Sequence, residues 1–231
     1  MGVLDYVFDN VECSSISGKY PELASVYPDI KEPLGGYARF AGNGYVNTQE
    51  VFNYTQNTDF SISAWIRSEN PSANYALSQA RTIGSYASDW IIVGGNGLFW
   101  MRGQTMGNIA LMNDAKWHHL VLVWNRSTER YSGYFDGINL GVSNVISGYG
   151  GITPVIIGAR ADLTSSFWMG GIAQVKIYRR QLSLNEVQRL HSFLPVLSGL
   201  YLYYPLVLNT NDYSQSKKHG ILQNVEFVRG F

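Results

Sequence analysis

The sequence has little charge, a single cysteine and no long hydrophobic run. Charged residues make up 15% of the 231-residue chain, and 17 Lys and Arg balance 17 Asp and Glu. A net charge of zero argues against a nucleic-acid binder, which needs clustered positive charge, and against a polybasic membrane-surface protein. Because Cys13 is alone, an intramolecular disulfide and a thiol metal cluster are excluded. No apolar run approaches the roughly 18 residues of a membrane-spanning helix, so we expect no membrane insertion.

Common catalytic and metal-binding motifs are also missing from the sequence. The chain contains no H-E-x-x-H, G-x-S-x-G, P-loop or G-x-G-x-x-G pattern. No two acidic residues are separated by one residue, which excludes a D-x-D-x-D calcium loop. His118 and His119 are adjacent in a predicted strand and point to opposite faces, so they cannot ligate one metal together. We expect one of these two histidines to be packed and the other to be solvated.

The dominant period of the hydrophobic residues is two, which is typical of strands. In residues 60–67 (FSISAWIR) the side chains alternate between two faces, and residues 117–124 (WHHLVLVW) are largely apolar on both. Asp136-Gly137 predicts a type I′ hairpin, because glycine accepts the positive φ that this turn requires. Further short strand candidates are residues 3–8, 37–40, 44–47, 82–85, 90–93, 98–101, 109–111, 155–157 and 172–178. So many short strands predict a sandwich or a barrel.

One helix and one internal repeat stand out from this pattern. Ser183 and Glu186 form a capping-box sequence that predicts a helix over Leu184–His191. Residues 4–8 (LDYVF) are followed, six residues on, by a serine, and residues 202–206 (LYYPL) are followed at the same spacing by Asp212. The second copy is too short to bury a core of its own, so we expect it to dock as an added strand.

Several stretches, taken in order, resemble one family. They are residues 36–46 (GYARFAGNGYV), 60–66 (FSISAWI), 117–120 (WHHL), 134–141 (YFDGINLG) and 170–178 (GGIAQVKIY). These resemble the strand motifs of the laminin-G-like, concanavalin A-like lectin/glucanase domains, including the pentraxin branch. The resemblance implies an all-β fold: a two-sheet antiparallel jelly-roll sandwich with one short C-terminal α-helix and an extra C-terminal β segment. We expect residues 1–196 to form this sandwich and residues 197–231 to be a partial second repeat.

The resemblance to the pentraxin branch implies a calcium site, and this sequence departs from the pattern. Asp89 and Asp162 stand in loops that resemble the two calcium-binding loops of that branch, so they are the candidate metal ligands. Arg160, however, stands where that branch carries an acid, and Ala41 and Gly44 replace two further acids. Calcium needs six to eight oxygen ligands and tolerates no buried cation beside it. The alternative is an exposed Arg160–Asp162 ion pair without a metal.

Aromatic side chains beside polar ones suggest a second kind of site. Sugar C–H faces stack on aromatic rings, and sugar hydroxyls need polar partners. The candidate glycan-binding residues are Tyr86, Trp90, Trp100, Arg160 and Trp168. For Trp90 and Trp168, a place in the core is an equal alternative.

Three functions follow as hypotheses. Laminarinase-type relatives use E-x-D-x-x-E, which is absent, so a divergent glycoside hydrolase is disfavoured and we expect no enzyme. The first hypothesis is a non-catalytic structural or attachment protein on a phage virion surface, since residues 1–30 show no signal-peptide pattern. The alternative is a carbohydrate-binding or adhesion module of a secreted bacterial protein. The expected partners are glycans, neighbouring structural subunits, or a second copy bound through residues 199–231.

Overall fold

The computed structural model describes residues 35–51, 58–70, 75–80, 88–94, 97–146 and 153–229. The chain divides into two units, Met1–Lys31 and Glu32–Phe231, and all of these residues lie in the second. The strands predicted at residues 3–8 and 82–85 lie outside the described residues. Among the described residues, no helix is long and apolar enough to cross a membrane.

Thirteen strands, one α-helix and one short 3-10 helix make up the described fold. The strands are β1 (Tyr37–Val51), β2 (Phe60–Ser68), β3 (Leu77–Ala80), β4 (Ser88–Gly94), β5 (Gly97–Met101), β6 (Gln104–Asn108), β7 (Trp117–Asn125), β8 (Arg130–Phe135), β9 (Ile138–Val142), β10 (Pro154–Ile157), β11 (Met169–Tyr178), β12 (Leu200–Tyr204) and β13 (Ile221–Val228). The helix α1 spans Leu184–His191 and the 3-10 helix spans Ile109–Met112.

The long strand β1 joins two antiparallel layers into one hydrogen-bonded network. The first layer has the order β9-β8-β7-β2-β11, and the first part of β1 pairs with β11 through Ala38 and Ile172. The second layer has the order β6-β5-β4-β3-β10, and the later part of β1 pairs with β10 through Val46 and Ile157. The predicted antiparallel jelly-roll sandwich is therefore confirmed, with residues 37–40 and 44–47 in one strand.

The core lies between the inner faces of the two layers. Fully buried side chains of the first layer, such as Ile62 and Leu122, belong to the same cluster as Ile92 and Phe99 of the second. A Cβ on Gly133 of β8 would lie 2.6 Å from a ring carbon of Phe99 in β5, so the layers meet closely there. This packing follows from the period-two pattern, which places every second side chain on the inner face.

The Asp136-Gly137 turn forms as its sequence predicts. Both residues have positive φ, 49° and 78°, and Phe135 pairs with Ile138 across the turn. Helix α1 also has the predicted bounds. The Ser183 side chain accepts from the Glu186 amide, and the Glu186 side chain accepts from the amide of Ser183, so the capping box is complete.

The strand predicted at residues 109–111 is wrong, because the chain turns there into the 3-10 helix. Asn108 is the cause. Its side-chain oxygen accepts a hydrogen bond from the amide of Ala110 at 2.9 Å, which caps a helical turn and ends β6.

The C-terminal segment adds two strands to the sandwich, as the predicted extra β segment requires. β12 pairs with β11 through Tyr204 opposite Val175, and β13 runs along β1. The loop between β12 and β13 is organised by Asp212, which is 1% exposed. Its carboxylate accepts from the amides of Tyr203, Ser214 and Lys218 and from the Ser214 hydroxyl. A charged acceptor with this many donors is a strong local anchor.

Candidate ligand-binding site

The outer face of the second layer carries a row of side chains that crosses four strands. Ile156 of β10 pairs with Ser78 of β3, Ser78 pairs with Ile91 of β4, and Ile91 pairs with Trp100 of β5. Residues paired directly across antiparallel strands share a face. Trp100 is half-buried, whereas Ile156, Ser78 and Ile91 are buried. The indole of Trp100 therefore marks the more accessible end of this row.

A loop of the chain, residues 158–168, is fastened onto this face. The loop is closed at its base by a hydrogen bond from the Trp168 amide to the Gly158 carbonyl at 2.7 Å. The hydroxyl of Ser78 donates to the carbonyl of Ala159 at 2.8 Å, which ties the start of the loop to β3. The amide of Tyr75 donates to the carbonyl of Ser166, which ties down its end. The loop thus has three fixed points.

Gly158 is required at the base of this loop. Its φ is +88°, a conformation that side chains rarely adopt, and a Cβ there would lie 2.2 Å from a ring carbon of Phe40. Its amide also donates to the carbonyl of Ala76 at 2.7 Å. The loop can leave the sheet at this angle only because the residue has no side chain.

Inside the loop, Arg160 and Asp162 form a short ion pair. Nη2 and Nε of Arg160 lie 2.7 and 3.0 Å from Oδ2 of Asp162, and the amide of Thr164 donates to Oδ1 at 3.2 Å. The side chains are 16% and 2% exposed, so the expectation of an exposed pair is wrong. Because both side chains are largely buried, removing this pair is more costly than removing a surface pair.

The environment of Asp162 does not suit a calcium ion. Burial raises the pKa of Asp162, but hydrogen bonds from Arg160 and Thr164 and the charge of Arg160 outweigh burial and lower it. Both carboxylate oxygens already accept hydrogen bonds, and one of them faces a guanidinium at 2.7 Å. A calcium ion would have to displace that cation. In the described part of the chain, no group of three or more His, Cys, Asp or Glu side chains is arranged to hold a metal.

The structure places three of the residues singled out from the sequence on the same side of the second layer. Trp100, Arg160 and Asp162 all belong to the outer face of the second layer or to the loop that covers it. Ser78, which holds the loop next to Arg160, is two strands from Trp100, a separation of about 10 Å. Tyr86 and the side chain of Asp89 lie outside the described residues, so their roles stay predictions.

Trp90 and Trp168 lie in the core, whereas glycan binding would require rings that are exposed on the surface. Both side chains are 0% exposed and belong to the core cluster, so neither ring offers a face to a ligand. The indole N–H of Trp90 donates to Oε1 of Gln79 at 2.8 Å, and Gln79 donates to the Thr153 carbonyl. Trp168 fixes the end of the 158–168 loop. Both residues therefore support the second layer from inside.

The adjacent histidines are both buried, which corrects the expectation that one would be solvated. His118 lies between two carboxylates, with Nδ1 2.7 Å from Asp136 and Nε2 3.0 Å from Asp114. Burial lowers the pKa of His118, but the hydrogen bonds to Asp136 and Asp114 outweigh burial and raise it. His119 bonds the Ser63 hydroxyl at 2.8 Å, and burial holds its pKa well below the usual range. His119 therefore connects β7 to Ser63 of β2, and His118 connects β7 to Asp136 in the turn between β8 and β9.

Sequence reasoning missed Ser78 and Tyr75, which fasten the loop. Ser78 stands in the short run Leu77–Ala80, which carries no clear alternation, and no motif marks it. Its importance depends on a partner, Ala159, that is 81 positions away in the chain.

Comparisons with known proteins give consistent results. A laminin-G-type family model, described as the concanavalin A-like lectin/glucanases superfamily, matches residues 40–188. Neuronal pentraxin-2 from Mus musculus is 26% identical over 142 residues. This match covers 55% of this chain and 32% of that protein, so the chain spans about a third of the curated relatives it matches.

Two solved structures resemble the fold over most of the chain. A candidate carbohydrate-binding protein from Bacteroides ovatus has a TM-score of 0.55 and 16% identity, covering 84% of this chain and 60% of that one. A heptameric SAP-like pentraxin from Limulus polyphemus has a TM-score of 0.55 and 15% identity, covering 85% and 94%. At these identities the two structures support the sandwich fold alone.

Proposed function

The chain belongs to the concanavalin A-like lectin/glucanase superfamily, and on that premise we propose that it is a non-catalytic carbohydrate-binding domain. The proposed ligand site is the outer face of the second layer. The observation that carries the proposal is that Trp100 shares a face with Ser78, about 10 Å away across two strands, and that Ser78 holds the loop that carries Arg160. The family description, which names lectins and glucanases, supports a carbohydrate ligand.

The chemistry of this face suits a sugar of more than one ring. The half-buried indole of Trp100 provides an apolar surface on which the C–H face of a sugar ring stacks. Arg160 provides hydrogen-bond donors to hydroxyl or carboxylate oxygens, and Asp162 fixes the direction of its guanidinium. Because the ion pair and the three loop contacts preorganise Arg160, binding costs little ordering of this side chain.

The state of Asp162 supports the non-catalytic part of the proposal. Glycoside hydrolases need two carboxyl groups facing one glycosidic bond. Asp162, the carboxylate of the 158–168 loop, is paired with Arg160 and has a lowered pKa. A carboxyl group held ionised by a cation is a poor general acid at neutral pH.

A structural or attachment role on a phage virion surface is the second candidate. The observation that favours it is β13, a strand along β1 whose Ile221 and Leu222 are 58% and 43% exposed. Exposed apolar side chains on an edge strand suit a contact with a neighbouring subunit. The corresponding locations are the virion surface or, for a secreted lectin module, the extracellular space.

A glycan array probed with the purified chain tests the proposal, once with calcium and once with EDTA. We expect binding to a restricted set of glycans, equal in both conditions, because the guanidinium of Arg160 occupies the carboxylate of Asp162. Hits that disappear in EDTA would contradict this site and favour metal ligation by Asp89 and Asp162. An empty array in both conditions would contradict glycan binding and favour the assembly role.

A further inference from the structure

Lys176 of β11 lies on the outer face of the first layer, between β2 and β12. It pairs with Ser63 of β2 on one side and with Tyr203 of β12 on the other, so the three side chains share a face. Lys176 is half-buried. Among the described residues, no ion pair includes its ammonium group. This is unusual, because a lysine withdrawn from water normally has an anionic partner.

An amide and an aromatic ring hold the amine of Lys176 in place. Nζ donates a hydrogen bond to Oε1 of Gln174 at 3.0 Å and lies 4.7 Å from the centre of the Tyr203 ring. The hydroxyl of Tyr203 donates to the same oxygen at 2.8 Å. Gln174 has a φ of +53°, and the register between β11 and β2 shifts at this point. A β-bulge of this kind redirects a side chain, and here the amide of the bulge meets the amine.

The groups around Lys176 supply no negative charge at neutral pH. Burial lowers the pKa of Lys176 to about 7. Tyr203 faces it from β12, His119 faces it from β7 through the Ser63 hydroxyl, and the ring of His191 in α1 lies 5.8 Å from that of His119. Burial raises the pKa of Tyr203 to about 12 and lowers the pKa of both histidines, so all three groups are neutral at pH 7. At that pH about half of the Lys176 side chains carry a free amine.

A free amine that is fixed in one position is a good nucleophile for carbonyl carbons. We propose that Lys176 is a covalent binding site for a small aldehyde. The amine nitrogen forms a bond to the carbonyl carbon, and the carbonyl oxygen takes up both amine protons and leaves as water. The product is an imine, and no oxidant or reductant is consumed. Because this site lies on the first layer, the proposal is independent of glycan binding on the second.

The ring of Tyr203 suits the product as well as the free amine. An imine is positively charged when it is protonated, and a cation over an aromatic face is stabilised by the charge distribution of the ring. Oε1 of Gln174 remains available to accept the N–H of the protonated imine. The same two groups that position the amine therefore also fit the adduct.

Reductive alkylation of the full chain with acetaldehyde and cyanoborohydride tests the proposal. Peptide mass spectrometry gives the rate of ethylation at each lysine, and the exposed Lys116 and Lys217 are internal references. Fewer than about one in a thousand exposed lysines are neutral at pH 7, so we expect Lys176 to react at least about tenfold faster than either reference. Its rate should level off above about pH 8, whereas the reference rates rise further. A Lys176 rate at or below the reference rates at pH 7 would overturn the proposal.

Gln174→Glu is the variant that tests the position of the amine. It replaces the acceptor of the 3.0 Å hydrogen bond with a carboxylate of the same size, which favours the protonated amine. The rate at Lys176 should fall at least about tenfold at pH 7. Gln188→Glu, on the exposed side of α1, is the matched control and should leave this rate unchanged. An unchanged Lys176 rate in Gln174→Glu, or an equal fall in both variants, would also overturn the proposal.

Discussion

Replacing Gly158 with alanine should lower the free energy of unfolding by about 2–5 kcal/mol. Two unfavourable effects add up to this loss of stability. The φ of +88° is unfavourable for any residue with a Cβ, and that Cβ would lie 2.2 Å from the ring of Phe40, which is fully buried and has little room to move. The 158–168 loop must then leave its position, and glycan binding should fall with it. Urea denaturation, followed by tryptophan fluorescence, measures the change.

Gly103 offers a control with the same backbone conformation. Its φ is also +88°, and a Cβ there would meet nothing within 4 Å. Gly103→Ala should therefore lower the free energy of unfolding only by the cost of the positive φ, about 1–2 kcal/mol. It should leave glycan binding intact. If the two variants lose equal stability, the contact with Phe40 does not determine the geometry of the loop.

Replacing Asp162 with asparagine should cost about 2 kcal/mol of unfolding free energy. Removing one partner of a fully buried ion pair costs about 3–5 kcal/mol, whereas an exposed pair contributes about 0–1 kcal/mol. The Arg160–Asp162 pair lies between these two cases, because its side chains are 16% and 2% exposed. Because the folded-state pKa of Asp162 is lowered, its contribution is complete above the usual aspartate pKa of 3.8 and is lost as the pH falls through the folded-state value. The difference in unfolding free energy between the unmodified chain and Asp162→Asn should therefore become smaller in acid.

The Arg126–Glu129 pair provides the comparison, because its shortest contact is also 2.7 Å and its side chains are 32% and 38% exposed. Glu129→Gln should change the unfolding free energy by less than about 1 kcal/mol. Equal losses in Asp162→Asn and Glu129→Gln would show that burial does not strengthen the Arg160–Asp162 pair. Chemical denaturation at pH 7 and at pH 3 measures the loss of unfolding free energy in each of the two variants.

Local patterns in the sequence predict much of the fold. The bounds of α1 follow from the capping box of Ser183 and Glu186, and the hairpin follows from Asp136-Gly137, because both signals are satisfied by neighbouring residues. The docking of β12 could be expected from its repeat, since a segment with three alternating apolar residues must bury them. These features depend on contacts within a few residues or on a period of two.

The site was less predictable because its contacts join distant parts of the chain. Composition could place Trp90 and Trp168 either in the core or on the surface, and only the packing of the layers decides that both are buried. The start of the loop that carries the Arg160–Asp162 pair is held by the Ser78–Ala159 hydrogen bond, which joins residues 81 positions apart. His118 has two carboxylate partners because the hairpin turn brings Asp136 to it. No local motif marks Ala159 as the partner of Ser78.

Titration of the strongest array ligand into two variants tests whether Trp100 binds the glycan. Trp100→Ala removes the proposed stacking surface, and Tyr213→Ala removes an aromatic side chain that is 46% exposed in the loop between β12 and β13. We expect at least about tenfold weaker binding for Trp100→Ala and unchanged affinity for Tyr213→Ala. Unchanged affinity in a folded Trp100→Ala variant would contradict it and place the glycan elsewhere.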